Sequence, residues 1–170
     1  MVIPDAPELT VREVPMRNAN PPMRVVLDGR LRIPLKARIL KDDAKTLVIT
    51  TSRQDKLKTE ALRERGVEVV KVKAIKGKVE LREALRELGE RGVVDLMVEG
   101  GAAVNASFVE QGLADRLRLF VAPRVFGGSE APAWMGGRGV DRPEQSFDFT
   151  WSKPKMVGAD LLLEAVRERG

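Results

Sequence analysis

Hydrophobic and polar residues alternate along the chain in two periods, which predict strands and helices in turn. Short runs rich in β-branched residues predict strands, and apolar residues three or four positions apart predict amphipathic helices. The predicted strands are residues 24–27, 46–49, 67–72, 93–98 and 116–121, and the predicted helices are residues 54–65, 79–90 and 103–111. This alternation indicates right-handed crossovers and a largely parallel sheet.

Each predicted helix has one apolar face that we expect to be buried. Gly66 is the expected end of the first helix, and Gly89 or Gly92 that of the second. The residues expected to face inward are Leu57, Ala61 and Leu62 in the first helix, Leu81, Ala84, Leu85 and Leu88 in the second, and Val104, Phe108 and Val109 in the third.

Other parts of the chain lack this regular alternation. The first 23 residues contain five prolines and predict an extended arm. Residues 31–37 alternate, but Pro34 restricts them to an edge strand or a loop. Residues 123–146 are rich in glycine and proline and predict a long loop. Two last strands, residues 147–151 and 160–166, predict a C-terminal antiparallel hairpin.

Composition narrows the chemistry. The 170 residues include no cysteine, histidine or tyrosine, which excludes a Cys or His nucleophile, a Ser-His-Asp triad, the usual zinc or haem ligands and disulfides. With 43% hydrophobic and 32% charged residues, a single folded domain spanning residues 1–170 is expected. No apolar run of about 18 residues and no leader pattern occur, so a cytoplasmic protein without membrane contact or a metal is expected.

The net charge of +5 favours anionic ligands. Charges of opposite sign alternate between Lys71 and Arg91, which is typical of a solvated helix face carrying ion pairs. With only five Phe and two Trp, the chain offers few stacking platforms, so nucleic acid is not the expected partner. Abundant Glu, Lys and Arg without Cys resemble a thermophile's composition.

The most informative motif follows the predicted strand 93–98. Glu99 is followed by Gly100 and Gly101 and then by two alanines that open a helix. Backbone amides at such a helix start can closely approach an anion such as a pyrophosphate, but two glycines also make an ordinary tight turn. Glu99 either accepts hydrogen bonds from sugar hydroxyls or is a solvated loop residue.

Two other strand ends carry candidate ligands. Thr50, Thr51, Ser52 and Arg53 could hold the 2′-phosphate of an adenosine and so select NADPH over NADH. Alternatively, Thr51 or Ser52 caps the following helix. Residues 27–30 either cradle a ligand or only reverse the chain.

Several segments together resemble the reductases of riboflavin biosynthesis. This family comprises the C-terminal domain of the bifunctional deaminase-reductase and its stand-alone archaeal relatives, and its fold is α/β and dihydrofolate-reductase-like. The similarity spans nearly the whole chain in the family's order. The matching segments are Asp5–Arg12, Arg24–Gly29, Leu31–Pro34, Val98–Asn105, Phe108, Gly112–Asp115 and Ala122–Gly128.

The resemblance implies NADPH-dependent reduction of the ribosylamino group of a pyrimidine 5′-phosphate to a ribitylamino group, by a homodimer. Glu99 would hold the substrate's sugar as the candidate catalytic residue, with Leu9 and with Arg12 facing the phosphate. The residues implied along the cofactor phosphates are Gly101, Ala102, Ala103, Val104 and Asn105, after Gly100, and the further cofactor contacts are Asp5, Gly29 and Thr51, beside Thr50.

The chain also departs from the family pattern. Relatives place a strand, a helix and a second strand before the segment at which this sequence starts, so we expect the family's N-terminal segment to be lacking. Ala6, Glu8 and Arg116 stand where a second Asp, a basic residue and a Glu are common. The rival hypotheses are a truncated, non-catalytic dinucleotide-binding or interaction module and, less favoured, a nucleic-acid-binding protein.

Overall fold

The computed structural model describes residues 8–10, 21–41, 43–51 and 55–168. Most of the predicted N-terminal arm therefore lies outside the described residues. The chain divides into two compact units, Met1–Leu96 and Met97–Gly170. Each unit has its own sheets.

The first unit is built on a three-stranded parallel sheet. Its strands are β1 (Arg24–Leu27), β2 (Thr46–Thr50) and β3 (Glu68–Lys71), in the order β1-β2-β3. Helix α1 (Lys56–Glu64) connects β2 to β3. All five residues of the central strand β2 are buried, as expected for a parallel strand covered on both faces. The predicted parallel sheet is confirmed for these three strands.

Alternate residues of β2 pack into two separate hydrophobic clusters. Helix α2 (Leu81–Glu90) contributes to one cluster and α1 to the other. The α1 cluster contains Val26, Leu31, Ile33, Ile39, Leu40, Val48, Leu62, Val67 and Val69. The α2 cluster contains Leu47, Ile49, Val72, Ala84 and Leu88. The two-residue period of β2 therefore requires a helix on each side of the sheet.

Residues 31–37 form a loop, one of the two predicted alternatives. Leu31 and Ile33 are buried in the α1 cluster, while Arg32 is exposed. The loop leads into a 3-10 helix, Arg38–Leu40. A small antiparallel pair, β4 (Ala74–Ile75) and β5 (Lys78–Val79), precedes α2.

The predicted inward position of Leu57 is wrong, since its side chain is 78% exposed. The helix begins at Lys56, and Thr59 and Leu62 are its buried residues. At about 100° per residue, Leu57 lies roughly 140° around the helix from Leu62 and therefore on the solvent side. Gly66, with φ of +75°, follows the helix as predicted.

The pattern predicts α2 well. Leu81, Ala84 and Leu88 are buried and Leu85 is partly buried, as expected. Gly92, with φ of +77°, follows the helix end, whereas Gly89 lies inside the helix.

Several of the alternating charges in residues 71–91 form ion pairs. Lys73 Nζ lies 3.0 Å from Glu83 Oε1, and Arg91 Nη1 lies 2.8 Å from Glu87 Oε2. The hydrogen bonds that the Arg91 guanidinium donates to Glu68 and Glu87 raise the pKa of Arg91. The expected solvated helix face with ion pairs is confirmed.

Residues 93–98 do not form the predicted strand. They belong to no sheet of the described residues, and Val94 is 93% exposed. β-branched residues favour an extended backbone, but a strand also needs a hydrogen-bonded neighbour. Periodicity alone does not reveal whether that neighbour exists.

The second unit contains one helix and an antiparallel sheet. Helix α3 (Ala102–Glu110) buries Ala106, Phe108 and Val109, whereas the expected inward residue Val104 is partly exposed. The strands are β6 (Arg116–Val121), β7 (Phe149–Trp151), β8 (Lys155–Val157) and β9 (Asp160–Arg167). The predicted long loop lies between β6 and β7, with only a 3-10 turn, Pro143–Gln145.

Strand β9 pairs antiparallel with β6, β7 and β8. The predicted C-terminal hairpin is confirmed and gains one strand. The expectation that β6 joins a parallel sheet is wrong, because its neighbour β9 returns in the opposite direction. Within the described part of the chain, no helix combines the length and apolarity needed to cross a membrane.

The burial difference on α1 makes a testable prediction. Leu62→Ala should lower the free energy of unfolding by about 2–5 kcal/mol, because it leaves a cavity in the α1 cluster. Leu57→Ala is the matched control on the same helix and should change it by less than about 0.5 kcal/mol. Urea denaturation measures both. Equal losses would contradict the helix orientation.

Candidate functional site

The start of α3 offers backbone amides to a ligand. Its N-cap is Gly101, in an extended conformation without a side-chain cap. The amides of Val104 and Asn105 donate to the Gly101 carbonyl, at 2.9 and 3.1 Å. Ala102 and Ala103 precede these bonds, so their amides lack an intrahelical acceptor. The first turn carries no acidic residue, so an anion would meet no like charge from this turn.

The other two helices start differently. Asp55 caps α1, accepting from the amides of Leu57 and Lys58, and Glu80 caps α2. The alternative that Thr51 or Ser52 caps the first helix is therefore wrong, because that helix begins later than the pattern predicts. The signal was present in the sequence, since Asp is a favoured N-cap residue.

Gly100 is required by close packing. A Cβ at this position would lie 2.6 Å from Val104 Cβ and 2.7 Å from Val104 Cγ1. The backbone at Gly100 therefore lies directly against the first turn of α3, where no side chain fits. The sequence predicts either a tight turn or an anion site here, and both alternatives need the backbone to come this close to the helix.

Glu99, immediately before the two glycines, is exposed. Within the described residues its carboxylate forms no ion pair, so it is available to a ligand. Asn105 lies on the first turns of α3, and its side-chain amide donates to the Trp134 carbonyl at 2.8 Å. The predicted site residues of the second unit are therefore one continuous stretch at the start of α3, residues 99–105.

The first unit brings Gly29 and Thr51 into contact. They lie beyond the carboxyl ends of the adjacent parallel strands β1 and β2. The Thr51 hydroxyl donates to the Gly29 carbonyl at 2.8 Å, and a Cβ on Gly29 would lie 3.3 Å from Thr51 Cγ2. Carboxyl ends of parallel strands are where open α/β sheets bind ligands.

Thr50 is fully buried, and its hydroxyl has no hydrogen-bond partner within the described residues. Thr50 is the last residue of β2, and in the strand register it pairs with Lys71 of β3. A buried hydroxyl without a partner lowers stability by roughly 1–3 kcal/mol.

Asp28 organises the turn at residues 27–30. Its carboxylate accepts from the amide of Ile33 at 2.7 Å and from that of Arg30 at 3.3 Å. The carboxylate therefore holds the turn and the following loop. Asp before Gly was a turn signal in the sequence, but the acceptor role towards Ile33 is a contact that local pattern does not predict.

Leu9 lies near the opposite end of β1, where its carbonyl accepts from Arg24 Nε at 3.3 Å. Arg24 is buried, and its Nη1 also donates to the Ile39 and Lys41 carbonyls and lies 2.7 Å from Asp43 Oδ1. The hydrogen bond from Arg24 lowers the pKa of Asp43. The sequence pattern does not predict the role of Arg24, because a cation at the start of a strand usually lies in solvent.

Glu8, the residue before Leu9, is held by two cationic side chains. Its carboxylate accepts from Lys41 Nζ at 3.2 Å and from Arg38 Nε at 2.5 Å, and these bonds hold its pKa below the usual value. Leu9 has a φ of +48°, which is uncommon for a residue with a side chain. The hydrogen bonds to the Glu8 carboxylate and to the Leu9 carbonyl hold the chain at this backbone conformation.

Four predicted ligands lie outside the described residues, namely Asp5, Arg12, Ser52 and Arg53. A cavity of about 380 Å³ opens elsewhere in the first unit, near the start of β2. Its lining residues are Leu40, Lys41, Ala44, Lys45, Thr46, Arg65, Gly66 and Val67, none of them a predicted site residue.

Parallel strands joined by a crossover helix, together with a glycine-capped helix after an exposed carboxylate, define an α/β protein with a candidate anion site. The model of the RibD C-terminal domain matches residues 1–162, and the chain belongs to this family. The resemblance inferred from sequence motifs and the α/β fold are confirmed.

Curated relatives agree with this assignment. The chain is 34% identical to riboflavin biosynthesis protein RibD of Actinobacillus pleuropneumoniae over 97% of its own length and 43% of that protein's. It is 38% identical to the 2,5-diamino-6-ribosylamino-4(3H)-pyrimidinone 5′-phosphate reductase of Aquifex aeolicus, covering 94% of this chain and 70% of that protein. The chain therefore spans less than half of RibD but most of the separate reductase.

Solved structures share the fold. Acinetobacter baumannii RibD, form 2, superposes with a TM-score of 0.78 at 26% identity, over 98% of this chain and 44% of that one. A pyrimidine reductase-like protein from Corynebacterium diphtheriae has a TM-score of 0.71 at 19% identity, covering 88% of this chain and 62% of that one. At that identity the likeness concerns the fold alone.

The two neighbouring threonines make a matched prediction. Thr50→Val should raise the free energy of unfolding by about 1 kcal/mol, because it removes a buried hydroxyl without a partner. Thr51→Val should lower it by about 1 kcal/mol, because it removes the hydrogen bond to Gly29. Chemical denaturation measures both changes, and a destabilising Thr50→Val would show that this hydroxyl has a partner.

Proposed function

We propose that residues 1–170 act as a single reductase domain that converts the ribosylamino side chain of a pyrimidine 5′-phosphate to the ribitylamino form with NADPH. The observation that carries the proposal is the glycine-capped start of α3, whose first amides lack an intrahelical acceptor, directly after the exposed Glu99. Family membership and the similarity to 2,5-diamino-6-ribosylamino-4(3H)-pyrimidinone 5′-phosphate reductases support it.

The residues around α3 fit a cofactor's diphosphate. Gly100 leaves no space for a side chain, and the amides of Ala102 and Ala103 lack intrahelical acceptors. Gly101 to Asn105 would hold the phosphates. When bound, the nicotinamide supplies a hydride to the substrate.

The protein's own contribution is to bind and align the substrate. Conversion of a ribosylamino to a ribitylamino group adds two electrons and two protons in total, as one hydride and one proton. Such a reaction depends mainly on distance and orientation, and therefore needs no histidine or cysteine. Glu99 would accept hydrogen bonds from the substrate's sugar hydroxyls.

The proposal includes the homodimer and the cytoplasmic location expected from the sequence. Light scattering of the purified protein measures the oligomeric state, and a mass of one chain across the micromolar range would overturn the dimer.

We expect NADPH to bind at least about tenfold more tightly than NADH, since an extra phosphate adds charge-assisted hydrogen bonds. Isothermal titration calorimetry measures both dissociation constants. Equal and weak binding of the two cofactors would overturn the cofactor assignment. NADPH binding without oxidation in the presence of the pyrimidine ribosylamine 5′-phosphate would favour the non-catalytic module.

Glu99→Gln should lower kcat/KM at least about tenfold, because hydrogen bonds to a charged acceptor are stronger than those to an amide. The free energy of unfolding should stay within about 0.5 kcal/mol, because the side chain is exposed. NADPH oxidation and denaturation measure the two effects. Glu90→Gln, at the exposed end of α2, is the matched control. Unfolding of Glu99→Gln with unchanged kcat/KM would make Glu99 structural.

A further inference from the structure

The long loop of the second unit is hydrogen-bonded to the start of α3. We call Trp134–Gly139 the α3-associated segment. The Asn105 side-chain amide donates to the Trp134 carbonyl at 2.8 Å, and the Gly136 amide donates to the Ala102 carbonyl at 3.0 Å. Both fastenings use residues of the helix start at which the cofactor phosphates are expected.

A third fastening lies at the far end of the helix. Glu110 Oε1 accepts from the Arg138 amide at 2.8 Å and from the Gly139 amide at 3.4 Å. Within the described residues, the Glu110 carboxylate forms no ion pair with a cationic side chain. Its observed contacts are therefore those that hold the backbone of the segment.

Close packing reinforces these bonds at Gly137. This glycine has a φ of +92°, and a Cβ there would lie 2.7 Å from Ala106 Cβ and would collide with Glu110 Oε1. The segment therefore lies against the helix with no room for a side chain. Such a fit fixes the position of the backbone before and after Gly137.

Trp134 gives the segment a group suited to a nucleotide. It is 52% exposed, and its backbone is held by Asn105. An indole offers a flat apolar surface for stacking on a heteroaromatic ring. The segment thus combines an aromatic residue, a fixed backbone and contact with the first turn of α3.

We propose that the α3-associated segment is a wall of the cofactor site and that Glu110 is the positioning residue that holds this wall against α3. The inference rests on the proposed function, because it assigns the cofactor to the start of α3. Glu110 acts through the segment and does not itself touch the cofactor.

The first test compares two substitutions of Glu110. Glu110→Ala should raise the NADPH dissociation constant about tenfold, because it releases the Arg138 and Gly139 amides. Glu110→Gln should stay within about threefold of the unchanged protein, because its amide oxygen still accepts these bonds. Calorimetry measures the constants, and circular dichroism verifies the fold. Equal constants for Glu110→Ala and the unchanged protein would overturn the inference.

A second pair of variants tests the packing independently. Gly137→Ala should raise the NADPH dissociation constant about tenfold, because its Cβ would push the segment away from Ala106. Gly158→Ala is the matched control, since Gly158 also has a positive φ, of +61°, but has open space around it. The control should bind NADPH as the unchanged protein does. A similar loss of affinity in both variants would overturn the packing argument.

Limited proteolysis adds a second readout. It reports whether NADPH contacts the α3-associated segment, and a purely structural role of Glu110 would not produce such a contact. In the unchanged protein, saturating NADPH should slow tryptic cleavage after Arg138 at least about fivefold, because the wall contacts the cofactor. Cleavage after Lys76, in the exposed turn between β4 and β5, is the internal control. Unchanged cleavage after Arg138 would overturn the inference alone. Absence of NADPH binding by the unchanged protein would overturn the proposed function and, with it, the wall.

Discussion

The burial of β2 on both faces is the constraint on which the first unit depends. Leu47, Val48 and Ile49 are all excluded from solvent, and successive side chains of a strand point to opposite sides. A helix must therefore cover each face, and α1 and α2 do so. The same arrangement makes β1, β2 and β3 parallel, so their carboxyl ends lie along one edge. Gly29 and Thr51 meet at that edge because of this core.

The candidate chemistry of the chain depends more on backbone groups than on reactive side chains. Gly100 allows the chain to approach α3 closely, Gly101 is the N-cap, and the helix start presents amides rather than a charged nucleophile. Such a site is suited to holding a cofactor that carries the reactive atoms. A chain without cysteine, histidine or tyrosine can therefore support redox chemistry through alignment alone.

Local periodicity predicted the elements whose buried apolar surface comes from neighbouring residues of the element itself. The sequence stripe of α2, from Leu81 to Leu88, and the β-branched run of β2 correspond to buried faces in the structure. Leu57 was misplaced because α1 buries Thr59 and Leu62, and Leu57 lies roughly 140° around the helix from Leu62. Residues 93–98 and the direction of β6 depend on strand neighbours distant in sequence, which a local pattern does not contain.

The candidate site likewise has features that the local sequence predicts and contacts that it does not. The glycine pair before α3 was visible as a motif, because it is contiguous. The bonds of Glu110 to Arg138 and of Asn105 to Trp134 join residues 28 and 29 positions apart, and no local signal announces them. The start of α3, which has no side-chain cap, has a thermodynamic consequence as well. A ligand that satisfied its amides in the folded state alone would shift the folding equilibrium towards that state, so the protein's resistance to heat would then rise with the concentration of that ligand.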